Sequence, residues 1–135
     1  MIEPRPSATR FAKAVARAER ARGGGAHEPD LAQRIMKRMH SDLGKVLGAA
    51  GVDVLLARSV VLARRGHPVL GNVTAGPGGA LAGLDAPGLP AAALEEAEVL
   101  IVAHFIELLV TLIGEDLAMG LVGNIWPETA EEEER

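Results

Sequence analysis

The stretch VLIVAHFIELLVTLIGED, Val99–Asp116, decides the fold. Read as a helix, its 15 residues from Val99 to Ile113 reach about 22 Å, short of the roughly 30 Å hydrocarbon thickness of a bilayer, and His104 and Glu107 stand at its middle. It reads as the buried helix of a globular core, with no membrane span. His104, Glu107 and Thr111 are spaced i, i+3 and i+7 and share one helical face, which Glu96 and Glu115 extend toward the two ends. On one reading this stripe is the wet side of a helix otherwise buried. On the other, an imidazole and a carboxylate one turn apart bind a small ligand or a metal, with help from another helix; His40, beside Met36, Met39 and Leu43, is the candidate. The Glu-x-x-His motif of carboxylate-bridged di-metal bundles is absent, and no cofactor is expected.

Outward from that helix, composition agrees with a helical core. At 135 residues the chain is one domain's worth, 48% apolar yet only 2% aromatic, so Ala, Val, Leu and Ile must fill the interior, which suits closely packed helices. Cysteine is absent, which excludes disulfides, thiolate metal sites and a cysteine nucleophile. The amino terminus has no continuous apolar run, so it is not a secretory signal, and a cytoplasmic protein is expected.

Along the chain, Ser7–Arg22 alternates Ala with Arg and Lys, carries a thin apolar line at Phe11, Val15 and Ala18, and ends at Gly23-Gly24-Gly25. It reads as a basic helical arm on a glycine hinge, residues 1–29. Pro29-Asp30 followed by Gln33 resembles a capping box, and Leu31, Ile35, Met39, Leu43 and Val46 recur at helical spacing. Gly48 and Gly51 interrupt the pattern; Val54–Ala63 forms the next helix and stops at Arg64-Arg65-Gly66 with Pro68 beyond. Residues 66–90 hold seven Gly and four Pro and are expected as one long loop. A helix from about Pro90 carries Leu94 through Ile113, and the pattern resumes after Gly114 at Leu117, Leu121, Val122, Ile125 and Trp126. The fold class expected is all-α: a compact bundle of about four core helices over residues 30–127, with the basic arm before it and an acidic tail, 128–135, after it.

Charge divides the chain. Thirteen of the fourteen Lys and Arg lie at or before Arg65 with six acids, and twelve acids follow it with Arg135 as the sole base. Such asymmetry points to pairing of the two halves, within a chain or between chains, or to a basic surface for an anionic partner. Arg10, Lys13, Arg17 and Arg20 of the arm, with Arg58 and Arg65, are the nucleic-acid candidates. The segment VLGAAGVDVLLARSVVLARRG resembles the helix-turn-helix of bacterial repressors, with a turn at Ala50–Asp53. A recognition helix needs polar side chains at its start, and this one offers Val54, Leu55 and Leu56, residues expected to be buried.

Enzyme chemistry finds little footing. His40-Ser41-Asp42 has triad residue types, but consecutive helical residues project about 100° apart. Gly71-x-x-x-x-Gly76 is followed by Pro77 and Gly78 where a phosphate loop needs Lys and Ser or Thr. The apolar helices exceed what a small bundle hides, and Gly114, Gly120 and Gly123 would let another backbone approach. The expectation is a non-catalytic self-association or partner-binding module, as a homodimer or with a protein partner. The alternatives are a nucleic-acid binder and a helical sensor with a site near His104 and Glu107.

Overall fold

Helix α4, Ala91–Ile113, is the axis on which α1 (Pro6–Gly23), α2 (Glu28–Leu47), α3 (Ala49–Gly66) and α5 (Glu115–Ile125) all pack. The computed structural model describes residues 3–23, 28–83 and 91–129. Ile101, Val102, Ala103, Phe105, Ile106 and Leu109 are shut away from solvent. Successive residues of a helix point in directions about 100° apart, so a run of this kind needs neighbours on nearly every side. The all-α class is therefore observed. No helix among the described residues is long and apolar enough to cross a membrane.

Five side-chain contacts fix the directions of the helices. Arg5 meets Glu107 while Arg20 meets Glu95, so α1 runs antiparallel to α4. His40 lies against Asp53 across the Gly48 corner, so α2 and α3 form an antiparallel hairpin. Ser7 meets Glu115 and Arg22 meets Glu128, so α5 runs in the same direction as α1 while it packs on α4 and α2.

The helix expected as an arm lies in the core. Ala8, Phe11, Ala12, Val15, Ala16 and Ala18 are buried, and α1 packs on both α4 and α2. Alanine's small side chain lets the helices approach closely. Gly24 and Gly25 of the expected hinge, Pro90 and tail residues 130–135 lie outside the described residues.

Helix α2 buries Leu31, Ile35, Met39 and Leu43 as their spacing predicts, while Val46 is 61% exposed. The turn read at Ala50–Asp53 is not one: those residues are in the first turns of α3, and the chain reverses at Gly48. Of the residues expected to be buried there, Leu56 is, Leu55 is half-buried and Val54 is 68% exposed. Ser59 is buried with its hydroxyl donating to the Leu55 carbonyl at 2.7 Å, a bond to the preceding turn that satisfies it inside the core. Gly114, at φ 92, separates α4 from α5 in a left-handed conformation that suits glycine.

The expected loop, in its described part 66–83, is more ordered than its Gly and Pro content suggests. Two 3₁₀ turns, Pro68–Leu70 and Pro77–Gly79, flank strand β1 (Thr74–Ala75), which pairs antiparallel with β2 (Leu81–Ala82). Gln33 of α2 clamps this hairpin twice: its amide donates to the Gly79 carbonyl at 2.7 Å, and its side-chain carbonyl accepts from the Leu81 N–H at 2.8 Å. Residues 84–90 lie outside the description.

Candidate functional site

The polar stripe of His104, Glu107 and Thr111 is not a wet face at its centre. His104 is 2% exposed, and its Nδ1 is buried with no hydrogen-bond partner among the described residues. Burial pushes its imidazole below the ordinary value, and the Glu107 carboxylate pulls weakly the other way. Glu107 serves α1: it accepts from Arg5 Nε at 2.9 Å, from the second guanidinium nitrogen at 3.0 Å and from the Arg5 backbone N–H at 3.0 Å. Those hydrogen bonds hold the Glu107 carboxyl below its usual range. Thr111 is exposed and donates to the Glu107 carbonyl at 2.9 Å.

His40 is elsewhere. Its Nε2 lies 3.0 Å from Asp53 Oδ1, at an angle that makes no hydrogen bond, and the same carboxylate oxygen accepts from the Gly78 N–H at 3.2 Å. His40, Asp53 and Gly78 thus join α2, α3 and the hairpin. The structure brings His104 and Glu107 together and leaves His40 apart from them. Among the described residues no group of three or more His, Asp or Glu is placed to hold a metal ion.

Two carboxylates that sequence reasoning passed over are buried at the helix contacts. Glu19 of α1 is fully buried and accepts from Arg38 Nε at 2.7 Å, Arg34 Nε at 3.2 Å and the Trp126 indole N–H at 3.0 Å. Burial by itself would raise its pKa, but hydrogen bonds from Arg38, Trp126 and Arg34 outweigh it and hold the carboxyl below its usual range. Glu98 of α4 is 1% exposed and accepts from the Ala32 N–H at 2.9 Å, a negative group at the amino-terminal end of α2. Glu98 follows Leu94 by four residues and precedes Ile101 by three, so its place on the apolar face was visible in the spacing.

The opposed halves of the chain pair within it. Arg5, just before α1, and Arg20 and Arg22 on it are bonded to Glu107, Glu95 and Glu128 of the acidic half, while Arg34 and Arg38 of α2 are bonded to Glu19 within the basic half itself. Of the nucleic-acid candidates, Arg10, Lys13 and Arg17 are exposed on α1, Arg58 and Arg65 are exposed on α3, and Arg20 is committed to Glu95 at 3.0 Å. Lys13, Arg17 and Arg20 also wall a groove of about 600 Å³ between α1, α4 and the end of α3. Val99, Leu100 and Ala103 form its floor.

The interface candidates divide as well. Gly114 is the break between helices, whereas a methyl group added at Gly120 or Gly123 would meet nothing within 4 Å. Beside them Leu117 is 54% exposed, and Leu112, on the last turn of α4, is 62% exposed. Compared with models of known protein families, with curated proteins and with solved structures, the chain matches none.

Proposed function

We propose that this chain is a non-catalytic, cytoplasmic self-association module, in which α3 of one copy packs on α5 of another. One observation carries the reading: the outward faces of α3 and α5 are both apolar and are opposite in charge. Helix α3 exposes Ala50, Val54, Ala57 and Arg58, and its only acid, Asp53, turns toward α2 and the hairpin; Arg64 and Arg65 close the same helix. Helix α5 carries Glu115 and Asp116 and no base, and it exposes Leu117 and Gly120. Glycine on one helix allows a close approach by the other, and a two-fold axis uses the contact twice, so that the assembly closes. Apolar side chains left more than half exposed at Val54, Leu112 and Leu117 supply the area that association would remove from water.

Sedimentation velocity of the full chain over a hundredfold range of concentration tests this. The expected result is a dimer that Leu117→Glu converts to monomer, and that Arg58→Glu weakens until Asp116→Arg in the same chain restores it. A wild-type chain that stays monomeric throughout overturns the proposal. The nucleic-acid reading is the alternative: of its candidates Arg20 is joined to Glu95, while Arg10, Lys13, Arg17, Arg58 and Arg65 are exposed.

A further inference from the structure

We infer that the groove between α1, α4 and the end of α3 binds a small organic monoanion with an apolar body, of the medium-chain carboxylate class. The volume, about 600 Å³, falls in the range of small-molecule sites, roughly 300–1,000 Å³. It takes a whole molecule rather than a headgroup. Ala16, Val99, Leu100 and Ala103 make an apolar lining against which a hydrocarbon chain loses contact with water.

Charge selects the head. Lys13, Arg17 and Arg20 face Glu95 and Glu96 across the groove, so the lining keeps one positive charge in a protein whose net formal charge is −4. Arg20 and Glu95 are joined at 3.0 Å and close one end. Between the remaining groups Lys13 is exposed and makes no ion pair among the described residues, and Arg17 stands one turn along the same face of α1. A local positive site on an acidic protein concentrates anions there. A single negative charge matches the surplus, while Glu96 on the facing wall opposes a doubly charged phosphate. His67 also lines the groove, at the end of α3.

Isothermal titration of the full chain with sodium decanoate, kept below the concentration at which it forms micelles, tests the assignment. The expected result is saturable binding of one decanoate per chain. Lys13→Glu, at an exposed position, should weaken it about tenfold; Glu96→Gln should tighten it a few-fold; and decanol, with the same chain and no charge, should bind at least tenfold more weakly. Val99→Glu, which sets a carboxylate in the floor, should abolish binding while circular dichroism shows an unchanged helix content. Unsaturable binding, equal affinity for decanol, or decanoate affinity unaltered by Lys13→Glu overturns the proposal. Sedimentation of the same samples keeps the result separate from self-association, since the groove shares no residue with the α5 face or with Ala50, Val54, Ala57 and Arg58 of α3.

Discussion

Glu19 and Trp126 stand 107 positions apart in the chain and are joined by a 3.0 Å hydrogen bond, indole N–H to carboxylate, inside the protein. Arg34 and Arg38 reach the same carboxylate from α2, so one side chain ties together α1, α2 and the residue that ends α5. Removing one member of a buried pair leaves its partners uncompensated, a loss of about 3 kcal/mol or more. Both arginines keep some contact with water, so Glu19→Gln is expected at about 3 kcal/mol. Urea unfolding followed by tryptophan fluorescence measures it directly, because Trp126 is the only tryptophan. An unchanged midpoint would mean that this junction does not hold the helices together.

Deletion of residues 1–23 tests the boundary read from the sequence. If 30–127 were self-sufficient, the shortened chain would keep its helix content. We expect it to lose cooperative unfolding, because the deletion bares the faces of α4 and α2 that Phe11 and Val15 cover and strands Arg34 and Arg38. A cooperative transition in the shortened chain would restore the arm reading.

Acid should destabilise the protein in two steps. His104, Glu19, Glu107 and Glu128 all have folded-state values below their ordinary ones. For each, the unfolded chain binds more protons, so stability rises with pH. The His104 contribution is complete above about pH 6.5 and is lost as pH falls from there toward its lowered folded value. The carboxylates follow below about pH 4. Urea midpoints between pH 8 and pH 5 should fall for the wild type and stay flatter for His104→Gln; identical slopes would remove His104 from the first step.

The hairpin should be sensitive at a position that carries no side chain. Gly79 has φ +83, and a Cβ there would stand 2.7 Å from the Met36 carbonyl oxygen. Gly79→Ala should cost about 1–3 kcal/mol through strain and displacement of the hairpin from α2. Gln33→Ala, which breaks both clamping hydrogen bonds, should approach the same loss without touching the backbone. Thermal unfolding of the two variants checks this, and wild-type midpoints in both would show that the hairpin adds nothing to the core.

Gly120→Ala separates a solvent-facing glycine from an interfacial one. In an isolated chain the change replaces a poor helix former at an open position and should add about 0.5–1 kcal/mol. If α5 meets a second copy, the added methyl keeps the helices apart and dimerisation weakens. Sedimentation and thermal unfolding of one sample give both readings, and a variant that is more stable and dimerises as the wild type does would move the interface away from α5.

Much of this architecture was legible because helix spacing is a local property. Leu31, Ile35, Met39 and Leu43 lie on one face whatever else the chain does, and Gly114 breaks a helix by its own conformational freedom. Apolar density in Val99–Ile113 required a central helix, and α4 is one. Local rules failed where the partner lay far along the chain. Basic, alanine-rich α1 looked like an arm because the carboxylates that take its arginines come 75 to 106 residues later. The 66–90 segment looked like plain loop because Gln33, which organises its described part, belongs to another element.

The sequence by itself determined the helical class, the central apolar helix and the break at Gly114, since these depend on residue type and on a period of about 3.6; it left the α2–α3 corner spread over Gly48 to Asp53, and the structure puts it at Gly48. Only the tertiary structure decided that His104 is buried, that Glu107 serves Arg5, that His40 faces Asp53 and that Glu19 sits among two arginines and a tryptophan. Those pairings follow from how helices cross. A crossing places side chains by the sum of many weak contacts along both helices, and no single stretch of chain contains that sum.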